Sequence, residues 1–193
     1  MARTKDFDED EVLEKAMHLF WLNGYNATSM QDLVDGLGIS RSSLYDTYGD
    51  KHTLFLRALE NYKQSVSAKM ERIVSHTPSA RETVRQLLEL TTRELITDNE
   101  HKGCFLVNAA VEVAPHDAEV SLMICQGDRQ LEEFFREAIK KGQQSGEIVN
   151  PQDAAVLARF ILNNIKGFRV TAKSVTDKKF FADLVNLTMS VLD

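Results

Sequence analysis

Proline is nearly absent from this sequence. Only Pro78, Pro115 and Pro151 occur in 193 residues, beside nine glycines, so few positions break a helix outright. Cysteine is as scarce. Cys104 and Cys125 stand alone, which excludes a disulfide-stapled scaffold and is expected of a cytoplasmic protein with reduced thiols. No apolar run is long enough to span a bilayer, and the opening MARTKDFDED lacks the hydrophobic segment of a signal peptide, so no membrane partner is expected. There is no glycine-rich phosphate loop, no Ser/His/acid order and no paired-carboxylate motif, and the five histidines are scattered, so nothing points to an enzyme. His101, Cys104 and His116 match no compact ligand spacing; neither a metal nor a cofactor is implied. Positive charge is also in deficit. The net charge is −6, and the first 55 residues hold five Lys and Arg (Arg3 and Lys5 among them) against ten Asp and Glu. That is the reverse of the basic footprint a duplex-binding domain usually carries.

What the chain does have is apolar residues at helical spacing. They make up 43% of it, enough for a packed core, and no period-2 run bounded by turn signals interrupts them. The expected fold is all-α, with nine helices in two parts. A first helix covers residues 8–23, with Val12, Ala16 and Phe20 inward, and stops at Gly24. Thr28 or Ser29 caps a short second helix that stops near Gly36 and Gly38; Thr28 with Gln31 fits a capping box. Ser40 caps a third helix ending near Gly49, and Asp50 caps a long fourth that carries Phe55, Leu59, Tyr62, Val66, Met70 and Ile73. Pro78 precedes the fifth. CFLVNAAVEVA reads as a sixth, and Asp117 opens the seventh. Asn150 caps the eighth with Pro151 in its first turn, and the ninth runs from about 177 to 192. The three small helices form an amino-terminal unit, 1–53; residues 54–193 form the second. The boundary falls in the fourth helix, so the two are expected to be rigidly joined.

A short helix, a tight glycine-containing turn and a second short helix make a helix-turn-helix. Leu33, Val34, Leu37, Ile39, Leu44 and Tyr48 can close its small core with Phe20. That leaves the start of the third helix, ISRSSLYDTYGDK, exposed. A recognition helix lays its first residues against base edges in the major groove. Arg41 can donate two hydrogen bonds to guanine, and Ser42 and Ser43 can donate or accept. Tyr45 can reach a phosphate or a thymine methyl, and Lys51 at the start of the fourth helix can share a phosphate with that helix terminus. The same pattern also describes a polar corner of an all-helical protein with no nucleic acid near it.

As a set, Ala16, Phe20, Gly24, Tyr25, Thr28, Ser29, Leu33, Gly38, Ile39, Ser40, Tyr45, Tyr48, Lys51 and Leu54, in AMHLFWLNGYNATSMQDLVDGLGISRSSLYDTYGDKHTLF, resemble the amino-terminal domain of the TetR family of bacterial transcriptional regulators. The resemblance implies a DNA-binding domain followed by a helical effector-binding and dimerisation domain. It implies contacts to double-stranded operator DNA from Thr28, Ser29, Gln31, Arg41, Ser42, Ser43, Tyr45, Thr47 and Lys51. Two departures stand out. Thr47 occupies a place where the family often has His, and Asp46 puts a negative charge on the same exposed turn. Weak non-specific affinity is the expected consequence. An adaptor of the same fold that has lost DNA affinity is the alternative.

The carboxy-terminal helices are apolar on more than one face. The eighth has Leu157, Phe160, Ile161, Ile165 and Phe168; the ninth has Phe180, Phe181, Leu184, Leu187 and Val191. Two faces imply two partners, the chain's own core and a second subunit, unless both helices are buried inside the monomer. The resemblance favours a homodimer, with Phe160, Phe181, Leu184 and Leu187 at its interface. It also implies a cavity for an unknown small-molecule effector. Candidate walls are Cys104, Phe105, Asn108, Met123, Phe134, Phe160, Asn164 and Phe168; each of these is also an ordinary core residue in the absence of a ligand. GCFLVNAAVE resembles a segment of a TetR-type subgroup in which some members sense electrophiles through a cysteine at this place. Lys102 and a helix start beside Cys104 favour its thiolate, the reactive form; Cys125 reads as packing. The resulting expectation is a ligand-responsive repressor, released from DNA by an effector, and not an enzyme.

Overall fold

The computed structural model describes residues 7–193; Arg3, Lys5 and the start of the 1–53 unit lie outside the described residues. Among these the chain is all-helical, with no strand: α1 (Glu9–Asn23), α2 (Met30–Leu37), α3 (Arg41–Tyr48), α4 (Lys51–His76), α5 (Ala80–Thr97), α6 (Phe105–Glu112), α7 (Ala118–Ser145), α8 (Ala154–Thr171) and α9 (Lys178–Ser190). Side-chain caps explain where nearly every helix begins. Asp8, Ser29, Ser40, Asp50, Ser79, Asp117, Asp153 and Asp177 each accept a hydrogen bond from the first turn, satisfying amides that have no partner within the helix. Helix α6 is the exception: its cap position is Cys104, whose side chain makes no capping bond.

Of the two caps offered for α2, Ser29 is the one used, and the capping box differs from the expected Thr28–Gln31 pair: it is closed by Asp32. The start of α8 differs too. The cap of helix α8 is Asp153, three residues after Asn150, so Pro151 lies ahead of the helix. Asn150 folds the approach instead: its Oδ1 accepts from Gln152 N at 2.9 Å and its Nδ2 donates to Val191 O at 2.7 Å.

Two apolar cores form. The first gathers Val12, Ala16, Phe20, Leu33, Leu37, Leu44, Tyr48, Leu54, Phe55 and Leu59 with Phe105 and Ala109 of α6 and Val120 of α7. The second gathers the inner faces of α5, α7, α8 and α9 with Met70 of α4. Helix α4 serves both, with Phe55 in the first and Met70 in the second. Aromatic edge-to-face pairs run across the first core: Phe20 on Phe55 at 5.2 Å, Phe55 on Phe105 at 5.6 Å and Tyr62 on Phe105 at 5.9 Å between ring centres. Helix α6 is therefore bonded by packing to the amino-terminal unit.

Candidate functional site

The exposed face of the small unit is built by α3. Leu44 and Tyr48 point inward, and the Tyr48 hydroxyl donates to Glu9 O at 3.0 Å, which anchors the far end of the helix. Arg41, Ser42, Tyr45 and Asp46 face solvent. Arg41 has no hydrogen bond or ion pair among the described residues, so its guanidinium fork is free for a ligand. Ser40 gathers the serines: its hydroxyl lies 2.9 Å from those of Ser42 and Ser43 and accepts from Ser43 N at 3.1 Å. Thr47 is half-buried on the same helix. Gln31 is exposed on α2 and donates to Asp35 Oδ1 at 2.8 Å. Lys51 is half-buried, with its ammonium 4.3 Å from the centre of the Tyr25 ring. Burial draws its pKa below the ordinary lysine value, against the pull of the Glu112 and Asp32 carboxylates. Thr28 departs from the expectation. Its side chain is fully buried and donates to Gly24 O at 2.6 Å, so it braces the α1–α2 turn and offers no side-chain contact to DNA.

The expected effector walls do not converge. Cys104 borders a cavity of about 440 Å³ with Trp21, Tyr62, Lys69, Asp98 and Arg169. Met123 borders a different, apolar cavity of about 340 Å³ between α6, α7 and α8. Phe134 lines a smaller hollow of about 120 Å³, and Asn108 lines another, of about 330 Å³, beside Gly24 and Glu112. Phe105 and Phe168 are buried in the two cores and line none of these, because each is held by aromatic neighbours. Phe160 is 47% exposed, and the Asn164 amide donates to Phe160 O at 2.8 Å along the same helix.

Around Cys104 the structure adds residues that the sequence did not single out. The sulfur is buried, accepts from the Arg169 guanidinium, and lies 3.6 Å from the donating Tyr62 hydroxyl. Burial raises the Tyr62 hydroxyl well above the usual phenol range, and the neighbouring Cys104 raises it further. Burial pulls the Arg169 guanidinium down, but Cys104 and Tyr62 outweigh this and hold it above its ordinary value. Lys102, the cation expected beside the sulfur, is turned away: its ammonium pairs with Asp98 at 3.0 Å and with Glu100. Gly103 makes the approach possible. Its φ is +69°, and a Cβ there would lie 2.9 Å from Arg169 O, so only glycine lets the loop before α6 pass this close to α8. Trp21 Nε1 is enclosed with no hydrogen-bond partner among the described residues. An arginine inside the apolar run of α8 was the available signal for this cluster. Cys125, by contrast, is exposed on α7 and is not a packing residue.

On α8 and α9 the apolar faces separate. Phe181 is 1% exposed and stacks edge-on against Phe168, so it belongs to the monomer core and not to an outer face. Leu184 is half-buried on that core. Leu187 is 70% exposed, and Phe160, Val156 and Phe180 are likewise apolar side chains left exposed on these two helices. No helix of the described residues is long and apolar enough to cross a membrane.

Three capped helices that present α3 at the surface, rooted through α4 in a second helical core, define a helix-turn-helix regulator. Comparisons with known proteins agree. Residues 12–58 match the family of bacterial regulatory proteins called tetR, and residues 80–186 match the tetracyclin repressor-like C-terminal domain. The uncharacterized HTH-type transcriptional regulator YezE of Bacillus subtilis is 34% identical over the whole of both chains. The HTH-type transcriptional repressor ComR of Escherichia coli is 28% identical over 89% of this chain and 82% of its own. A cysteine mutant of the TetR family regulator CifR, solved with 26 bp of double-strand operator DNA, is 28% identical, covers 100% of both chains and superposes with a TM-score of 0.89. The chain belongs to the TetR family of transcriptional regulators, which are DNA-binding regulators and not enzymes.

Proposed function

We propose that this chain is a cytoplasmic homodimeric repressor that holds operator DNA with α3 and releases it when an electrophile adds to Cys104. The observation that carries the sensing step is the burial of the Cys104 sulfur between a guanidinium and a phenol at the wall of a cavity of about 440 Å³. A thiolate is the nucleophilic form of cysteine, and Arg169 supplies a positive charge against the sulfur. Exposed Arg41 and Tyr45 support the DNA contact, as do the relative named as a repressor and the solved relative bound to operator DNA. The exposed surface at Phe160 and Leu187 supports the dimer. A ligand that fits the wrong separation of the two recognition helices better than the right one would shift the population off DNA.

Genomic fragments captured by the protein provide the probe for a gel-shift test. N-ethylmaleimide should release the parent and the Cys125→Ser variant, while Cys104→Ser should stay bound. Release of Cys104→Ser to the same extent would remove the cysteine from the mechanism. Failure to enrich any fragment would favour the adaptor reading that the acidic amino-terminal charge supports.

A further inference from the structure

Helix α6 is short, and its polar residues fall on a single stripe. Cys104, Asn108 and Glu112 are spaced by four residues, so they share one face along its length. Each end of the stripe is tied to a different part of the molecule. At the start is the Cys104 sulfur against Arg169 and Tyr62. In the middle, Asn108 donates to Lys102 O at 2.9 Å and accepts from Lys173, in the turn that follows α8, at 3.1 Å. At the far end the Glu112 carboxylate accepts from Tyr25 N at 3.0 Å and from Asn26 N at 2.8 Å, one oxygen to each.

Those two amides belong to the turn between α1 and α2, and no helix satisfies them. Gly24 shapes the turn around the carboxylate. Its φ is +86°, and a Cβ there would stand 2.9 Å from Glu112 Oε2. Glu112 also acts on Lys51, whose ammonium lies over the Tyr25 ring. The carboxylate thus acts on the α1–α2 turn and on Lys51, a cation expected to meet DNA, together, from a residue 86 positions away in sequence from Asn26.

We propose that Glu112 is the positioning residue that holds the α1–α2 turn to α6, and that an adduct on Cys104 reaches the helix-turn-helix through this contact. The second half rests on the sensing role of Cys104 given above. In the addition of a maleimide, an S–C bond forms at one alkene carbon, the C=C π bond breaks, and the thiol proton ends on the adjacent carbon; nothing leaves. The added bulk stands where Arg169 and Tyr62 now meet the sulfur. Helix α6 has no side-chain cap at that end to fix it, so it shifts along its axis and withdraws the carboxylate from Tyr25 and Asn26.

Amide hydrogen exchange on the full-length protein tests this without DNA. In Glu112→Ala, exchange at Tyr25 and Asn26 should rise about tenfold, with α5 and α8 unchanged. Glu112→Gln should fall between, because an amide keeps only one acceptor oxygen. Unchanged exchange at both amides in Glu112→Ala overturns the positioning role. For the coupling, Cys125→Ser protein is treated with N-ethylmaleimide. The adduct should raise exchange at the same two amides, and it should add nothing further once Glu112 is alanine. A merely structural Glu112 would leave the two effects additive, and that result overturns the coupling. If mass spectrometry finds no adduct on Cys104 of the folded chain, the sensing role and the coupling fall together, while the Glu112→Ala result decides the positioning role by itself.

Discussion

At the scale of the residue, Arg41 is the side chain whose loss should be felt by DNA and by nothing else. It is exposed and makes no internal bond among the described residues. Arg41→Ala should weaken specific binding by about 1–3 kcal/mol, the worth of a base-edge contact, with an unchanged melting temperature. Equal affinity of variant and parent in a gel-shift titration would remove Arg41 from the contact. Which residues point inward was legible where one face alone was apolar: Phe20, Leu33, Leu44 and Tyr48 are all buried. It was not legible where apolar residues wrap a helix. Phe180 and Phe181 are adjacent in sequence, yet 39% and 1% exposed, and only the position of α8 decides between them. Thr28 and Ser29 posed the same problem for hydrogen bonding. Both can cap, and the one nearer the carbonyl of Gly24 turned inward. The Cys104 cluster was out of reach for a different reason. Tyr62 and Arg169 lie 42 and 65 residues from the cysteine, and only tertiary packing brings them to it.

At the scale of the element, capping residues fixed most boundaries, because a short polar side chain before an apolar stripe has few other uses. The start of α8 was misplaced because Asn-Pro also makes a turn, and here the turn comes first. Asp153 carries the cap, accepting from Ala155 N at 2.7 Å. Asp153→Ala should cost about 1 kcal/mol in thermal or urea unfolding. A loss well below this would mean that Asn150 or water takes over the orphan amides.

At the scale of the molecule, the apolar side chains exposed on α8 and α9 mark the surface where we propose that a second subunit docks. Leu187→Glu places a carboxylate on that surface while leaving the monomer core intact, since Leu187 is 70% exposed. Light scattering at micromolar concentration should give a dimer mass for the parent and a folded monomer for the variant. A dimeric variant would move the interface elsewhere. Phe181→Glu would be uninformative here, because a charge buried in the monomer core unfolds the chain before it reports on assembly.

Helix α4 runs 26 residues, about 39 Å, from the core around Phe55 to the core around Met70. A helix shared in this way leaves no place for one half of the chain to melt while the other stays folded, so heat should meet a single cooperative unit. Trp21, the sole tryptophan, packs edge-on against Tyr62 at 4.9 Å and therefore reports on the middle of that shared helix. Its fluorescence and the far-ultraviolet helix signal should fall together at one midpoint. Phe105→Ala, which removes the ring joining α4 to α6, should lower that midpoint by an amount matching about 3–5 kcal/mol. Two separated transitions in the parent would show that the long helix frays at its centre and that the two cores keep their stabilities apart.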